Sequence, residues 1–242
     1  MVECAKTYWH AAGSELQEKF RFLHISTDEV FGSLGQTEPR FREDTPYAPR
    51  SPYSASKASS DHIVSAYHST FGLPAMISNC SNNFGPYQSP EKLIPKIISN
   101  ALSSQPIPIY GDGKQIRDWL YVADHCDAIF AIVECGQPGH SYNIGGDCEV
   151  ENIEVARLVC EILQTLKPRA DLRYCDLIRF VTDRLGHDRR YAVDGSKIRE
   201  QLGWQPSHSF ESALEKTIAW YLDNETWLET MTAKLGALHA ER

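Results

Sequence analysis

FRFLHISTDEVFG, from Phe20 to Gly32, and SPYSASK, from Ser51 to Lys57, decide how the rest of the chain folds. Phe20, Phe22 and Ile25 sit in a run of bulky and β-branched residues that predicts a strand over Phe20–Ser26. Polar Ser26, Thr27, Asp28 and Glu29 follow where that strand should run out. In an open parallel sheet ligands sit beyond the carboxyl ends of strands, so chemistry is expected at these side chains. Tyr53 and Lys57 stand four apart at the start of a helix predicted over Ser54–Phe71, on one face and one turn apart. A tyrosine with a pKa near ~10 is a poor base at neutral pH. A lysine ammonium one turn away favours the phenolate and is expected to lower that pKa. The product is a general base suited to an alcohol proton. Tyr-x-x-x-Lys alone fits a half-exposed helix face with no chemistry. The Thr-Asp-Glu at a strand end about twenty-five residues upstream turns the reading towards catalysis.

On the amino-terminal side, Val2–Ala12 reads as the second half of a helix ending near Gly13. It lacks the capping residue and turn that usually begin one, as if the chain had been cut into. Gly32–Ser51 is a long polar loop with Gly35, Pro39, Pro46 and Pro49, and loops of that length are often functional. Ala75–Cys80 is a strand leading to a polar elbow, Ser81–Tyr87. Strand, loop, helix and strand in this order make a βαβ unit and predict a parallel sheet. Beyond it come an amphipathic helix over Leu93–Leu102, interrupted early by Pro95, and an extended Pro106–Tyr110, which its prolines bar from helix. A turn at Gly111–Gly113, an extended Gln115–Val122, a helix over Ala123–Cys135 and a strand at Ser141–Gly146 follow. Glu151–Leu166 is a helix with Ile153, Val155, Leu158, Ile162 and Leu166 on one stripe. Ser196–Leu202 and Phe210–Leu222 are further helices, Trp204, Trp220, Tyr221 and Trp227 are packing residues, and the tail after Glu229 is expected to be loosely ordered. Leu177–Asp194 has two readings: a solvated charged loop, or arginines interleaved with Phe180 and Tyr191 that grip a phosphate or diphosphate.

The 242 residues carry a formal net charge of −8 without a long basic run, which argues against nucleic acid or an anionic membrane as partner. Seven cysteines, odd in number and without a C-x-x-C pair, are expected to be buried reduced thiols of a cytoplasmic protein, with no metal site. Met1-Val2-Glu3-Cys4 places an acid where a signal peptide needs a basic region, and no apolar run follows.

Taken together, Ser26-Thr27-Asp28-Glu29-Val30-Phe31-Gly32, Tyr53-Ser54-Ala55-Ser56-Lys57, Asn79 to Pro86 and Arg117-Asp118-Trp119-Leu120-Tyr121-Val122 resemble the extended short-chain dehydrogenase/reductase family, and within it the nucleotide-sugar dehydratases. The resemblance runs from Val2 to about Trp227. It implies an α/β fold with a partial Rossmann-like parallel sheet whose first βαβ units are missing. Residues 1–85 with about 116–146 would form what remains of the NAD-binding domain. Residues 86–115 and 147–242 would form a smaller C-terminal α/β domain for the nucleotide sugar.

It implies a chemistry as well: oxidation at the sugar C4 with NAD as cofactor, loss of water across C5–C6, and reduction at C6. Tyr53 aided by Lys57 would take the 4-hydroxyl proton, Glu29 the C5 proton, and Asp28 would protonate the leaving 6-hydroxyl. Thr27 would hydrogen-bond the 4-oxygen. Two adjacent carboxyls in opposite protonation states need environments that pull their pKa values apart. Sugar-nucleotide epimerases usually carry small residues at these two positions. Lys57, Tyr53 and Asn83 would contact the cofactor. Asn82, Lys92, Leu93, Pro108, Ile109, Tyr110, Arg117, Asn152, Asp183, Arg184 and His187 would contact the substrate, and Leu185 stands where the family typically has proline. The helix after Pro52 would form a homodimer interface. No G-x-G-x-x-G or G-x-x-G-x-x-G turn is present, so about a hundred residues, the first mononucleotide half, are expected to precede Val2. Two other readings stay open: a binding-only or inactive remnant, and a related epimerase or decarboxylase.

Overall fold

Alternation along Phe22–Thr27 sorts side chains to the two faces of a strand, and a helix covers each face. In a computed structural model describing residues 1–240, β1 (Phe22–Thr27), β2 (Ala75–Cys80) and β6 (Ser141–Ile144) form a parallel sheet in that order. On one face Phe22, Ala75 and Ile77 pack against Val64 of α3 (Pro52–Phe71) and Trp9 of α1 (Val2–Ala11). On the other, Leu23, Met76 and Tyr142 meet Ala128 and Ile132 of α5 (Val122–Cys135). Pro52 opens α3 where a missing N–H costs nothing. Ser51 caps it reciprocally with Ser54, both bonds being 3.0 Å long. Gly72 ends it at φ +70°.

A second group of strands centres on β5 (Ile116–Tyr121), which pairs in parallel with β3 (Asn82–Phe84) and β9 (Arg190–Tyr191), and antiparallel with β7 (Glu149–Glu151). A separate parallel pair is made by β4 (Ile107–Tyr110) and β8 (Ile178–Val181). The largest core lies among α4 (Leu93–Leu102), α6 (Asn152–Leu166) and α8 (Phe210–Asp223), where Ile98, Leu163 and Ile218 are sealed from solvent. α7 (Ser196–Leu202) closes on the first sheet through Ile198.

The α/β architecture and the parallel pairing follow the sequence expectation; several local expectations do not. Ser14–Lys19 is a helix, α2, tied back by a Gln17 amide donating to the Trp9 carbonyl at 3.1 Å. The elbow after Cys80 contains strand β3, and the charged 177–194 segment supplies β8 and β9. Pro95 does not interrupt α4; it is the third helical residue, whose N–H needs no intrahelical partner. The tail expected to be loose is helical as α9 (Glu225–Ala240), anchored by buried Leu228 and by Trp227 packed against Trp220; residues 241–242 lie outside the described residues. The cysteines are free thiols, but Cys160 alone is buried, while Cys4, Cys126 and Cys135 are exposed. Among the described residues no helix is long and apolar enough to cross a membrane.

The 32–51 loop is held down along its length. Phe41 bridges to Val193 and donates its N–H to the Ala192 carbonyl. Val30, Phe31, Leu34 and Phe41 make a small core with Tyr191, Ala192 and Val193. Arg190 donates to the carbonyls of Gly35 (3.2 Å) and Glu38 (2.7 Å) and pairs with Glu149 (2.6 Å).

Candidate active site

Thr27 is the last residue of β1 and caps a short 3-10 turn, Asp28–Phe31, by accepting from the Glu29 N–H at 3.3 Å. Val30 and Phe31 plunge into the small core, which fixes the two acids ahead of them. Asp28 is 2% exposed, and Glu29 is half-buried. Burial first, then the neighbouring Glu29 and Asp118, push the Asp28 carboxyl up to about 8; Arg117 and the Thr27 hydroxyl act against that. One Asp28 oxygen, Oδ2, has no hydrogen-bond partner. Glu29 is raised by burial, but Arg117 beside it pulls the other way, as do Lys92 and Arg184, while Asp188 pushes it up. The two carboxyls therefore occupy different environments, one dry and protonated, the other flanked by cations.

Helix α3 is docked on β1 by polar contacts at one-turn spacing. Lys57 Nζ donates to the Ile25 carbonyl at 2.7 Å. Buried Asp61 accepts from the Ser26 hydroxyl at 2.7 Å and the Tyr47 hydroxyl at 2.9 Å, and His24 Nε2 lies 3.0 Å from its second oxygen. The Asn79 amide donates to the Thr27 carbonyl at 3.2 Å and fixes the strand end. Tyr53 sits at the top of the helix, half in solvent. Its phenol pKa is raised, by burial first, then by Glu29, Cys80 and Asp28. That shared influence brings Tyr53 into one electrostatic neighbourhood with the acid pair. It also corrects the expectation of a lowered phenol pKa: Lys57 is bonded to a backbone carbonyl, while burial first and the two carboxyls after it act in the opposite sense.

Around this centre the other expected residues fall into three sets. Lys92, Arg117 and Arg184 all act on Glu29 and so converge on the acid pair. Arg117 is buried, with its guanidinium 4.5 Å over the Tyr191 ring, and Arg184 lies 5.1 Å over Tyr110. The turn at Asp183 is internally bonded: His187 Nδ1 lies 2.6 Å from its carboxylate, Arg184 touches His187 Nε2 at 2.9 Å, and Gln115 donates to Asp183 at 3.0 Å. Asn82, Asn83 and Asn152 each carry a buried amide oxygen without a partner. Ile109, by contrast, is sealed in the large core, while Leu93, packed against that core, and Pro108 are half-buried. A half-open cavity of about 320 Å³, lined by Tyr47, Asp61, His62, His68 and His140 among others, includes none of the acid–base residues.

Sequence reasoning missed Asp118 and Asp188. Asp118 is inaccessible, accepts from the N–H groups of Gly146 (3.2 Å) and Cys148 (2.9 Å), and is pushed up to about 6 by burial. The available signal was an acid inside an apolar strand, Trp119-Leu120-Tyr121. Asp188 lay hidden in a run of charges.

The unpartnered polar atoms of Ser81, Asn82 and Asn83 gather just beyond β2, and Lys57 stands beside the end of β1. They suit the nicotinamide-ribose end of a dinucleotide. The described residues hold no glycine-rich turn for its pyrophosphate. Fold and site together define a Rossmann-type protein of the short-chain dehydrogenase/reductase class. Residues 1–217 match the family model described as GDP-mannose 4,6 dehydratase, and the chain belongs to that family. A dTDP-glucose 4,6-dehydratase of Neisseria meningitidis serogroup B is 57% identical over 234 residues, covering 96% of this chain and 66% of the relative. The crystal structure of dTDP-glucose 4,6-dehydratase from Bacillus anthracis in complex with NAD superposes with a TM-score of 0.83 at 45% identity, covering 95% of this chain and 67% of that one. A UDP-glucuronic acid 4-epimerase from Bacillus cereus, in complex with UDP-glucuronic acid and NAD, reaches 0.77 at 25% identity, covering 90% and 65%. The chain spans 65–66% of the length of the curated relatives it matches from Xanthomonas campestris and Neisseria meningitidis.

Proposed function

We propose that this chain carries the acid–base and substrate-binding part of an NAD-dependent dTDP-glucose 4,6-dehydratase, working with a glycine-rich nucleotide-binding segment outside its 242 residues. The observation that carries the reading is the Asp28–Glu29 pair: a buried carboxyl whose pKa is pushed up to about 8, next to a half-buried one on which Arg117, Lys92 and Arg184 act in the opposite sense. An epimerase has no use for such a pair, and the far greater identity to dehydratases agrees.

When bound, NAD supplies a hydride acceptor for C4, a donor for C6, and a positive ring charge that eases ionisation of the Tyr53 phenol. Tyr53 takes the proton of the 4-hydroxyl, and Lys57, fixed to the strand end, holds the ribose beside it. Thr27 hydrogen-bonds the 4-oxygen. The resulting ketone acidifies the C5 proton, which Glu29 removes. Asp28 gives its proton to the 6-hydroxyl, which leaves as water; a hydride added at C6 and the proton returned by Glu29 to C5 would then turn the C5–C6 alkene into the 4-keto-6-deoxy sugar. Each proton has one donor and one acceptor, so neither acid must change role within the elimination. Arg117, Arg184, Lys92 and His187 meet the diphosphate, with Tyr110, Asn82 and Asn152 lining the rest of the nucleotide sugar.

The test joins this chain to the glycine-rich segment of the Neisseria relative and measures the 4-keto-6-deoxy product from dTDP-glucose, with solvent deuterium entering at C5. Glu29→Gln is expected to lower C5 exchange and turnover by roughly 100-fold or more, as loss of a general base does. No product from the joined protein at any NAD concentration would sink the reading. The 242-residue chain alone is expected to bind dTDP without retaining NAD.

A further inference from the structure

We propose that Asp61 is a positioning residue: it sets the register of the tyrosine helix on β1 and so places Lys57, with Tyr53 one turn before it, over the strand end that leads to Thr27, Asp28 and Glu29. The inference deepens the dehydratase reading and rests on it for the reaction that this placement serves. Asp61 is 1% exposed although it stands inside a helix of 20 residues. Aspartate is a poor helix former, and a buried carboxylate is costly unless its neighbours satisfy it. Its partners here come from outside the helix. The Ser26 hydroxyl of β1 and the Tyr47 hydroxyl of the 32–51 loop both donate to Oδ2, at 2.7 Å and 2.9 Å. His24 Nε2, also of β1, lies 3.0 Å from Oδ1.

These bonds fall where register is decided. Asp61 lies one turn after Lys57 on α3, and Ser26 lies one residue after Ile25 on β1. The Ser26–Asp61 bond and the Lys57–Ile25 bond, both 2.7 Å long, therefore lock neighbouring strand residues to neighbouring helix turns. Ser26 directly precedes Thr27, the cap of the turn that holds the acid pair. Tyr47 sets its ring edge-on to Phe31, the last residue of that turn, with centroids 5.2 Å apart. One carboxylate thus touches the strand ahead of the two acids and, through Tyr47, the residue that closes their turn. Buried Ala58 and Val64 hold α3 down as well, but apolar contact has no direction and resists a small slide weakly. A misplacement of about 1 Å away from the chemistry is enough to cost about 100-fold in rate.

The experiment compares Asp61→Leu, which removes both acceptor oxygens, with Asp61→Asn, which removes the charge but whose carbonyl can still take both hydroxyls. The 242-residue chain is acetylated sparingly without NAD, and each lysine is read by mass spectrometry. Reactivity of Lys57 relative to exposed Lys19 should rise about threefold or more in Asp61→Leu, as loss of its bond to Ile25 allows, and stay near the parent value in Asp61→Asn. In the joined protein Asp61→Leu should lower kcat about 30-fold or more, with KM for dTDP-glucose changing less than about threefold. The isotope effect on kcat from substrate deuterated at C4 should grow, because hydride transfer becomes the slow step. Asp61→Asn should return kcat to within about fivefold of the parent. A residue that merely stabilised the fold would, when lost, raise all lysines together and leave the isotope effect where it was. Lys57 reactivity that follows Lys19, or that rises equally in Asp61→Asn, overturns the proposal, as does an unmoved isotope effect. If Asp61→Leu does not fold, Ser26→Ala, which cuts the strand-side bond and leaves Tyr47 donating, decides by the same two readings. A joined parent protein that makes no product sinks the dehydratase reading, while the lysine reactivities still decide the register. Product formation with unchanged Lys57 reactivity sinks the proposal about Asp61 alone.

Discussion

Replacing Asp28 by asparagine is expected to stabilise the fold, increasingly so as the pH rises, while removing the proposed acid. The carboxyl has an ordinary pKa near 3.8 and is pushed to about 8 in the folded chain, by burial before anything else. The folded state therefore binds the proton more tightly than the unfolded state. Its contribution to stability is complete below the unfolded pKa and is lost as pH climbs towards the folded one. Each pH unit in that window is about 1.4 kcal/mol, so at pH 7 the buried acid costs about 4 kcal/mol, whatever the folded pKa above that pH. At 2% exposure, solvent screening does not reduce that figure much. Asparagine carries no proton to lose. The unfolding free energy of Asp28→Asn, less that of the parent, should thus grow by about 1.4 kcal/mol per unit between about pH 5 and about pH 7. Urea unfolding followed by tryptophan fluorescence measures it at several pH values. Any constant offset from the fit of the amide cancels in the slope, and Asp118 and Glu29 titrate in both proteins. A difference that stays constant within about 0.5 kcal/mol over that range would mean Asp28 is ionised when folded, and an ionised Asp28 cannot be the acid.

Two further substitutions test how the site is held. Ser51→Ala removes the hydroxyl that accepts from the Ser54 N–H, the side-chain half of the reciprocal cap on α3 contributed by Ser51, and should cost about 1 kcal/mol, seen as a lower urea midpoint at unchanged slope; an unmoved midpoint would mean that bond does not hold the helix that presents Tyr53. Gly146→Ala drives a Cβ into the Trp119 carbonyl where the Gly146 N–H meets Asp118, and should cost about 3 kcal/mol or more in thermal unfolding; a variant as stable as the parent would refute that close approach.

What the sequence made legible is what local rules govern. Ser51-Pro52 announces the start of α3 through capping and a fixed φ, and the alternation of Phe22–Thr27 announces a strand whose end carries polar side chains. The strands it hid are short and depend on distant partners: β7 and β9 exist because β5 supplies their hydrogen bonds, not because three or two residues prefer extended backbone. Helix α9 is ordered by Trp220 and Tyr221 on the helix before it. The direction of the Tyr53 shift was misjudged because i, i+4 spacing reveals Lys57 but not the burial of the phenol, which raises its pKa ahead of Glu29, Cys80 and Asp28. Ile109 belongs to a run that reads as extended from its prolines, and only packing shows that its side chain is sealed in the large core.

The fastening of the 32–51 loop dictates an order of assembly during synthesis. Arg42 reaches Asp194 across 152 positions, and Ser33 receives the Arg189 N–H across 156. At about five to twenty residues per second, a ribosome needs roughly ten to thirty seconds to deliver those partners. Through that interval Val30 and Phe31, the floor beneath the acid pair, stay uncovered by Ala192 and Val193. The nascent chain thus carries an apolar flank beside its most reactive residues until late in translation, and that flank is the surface a chaperone would be selected to shield.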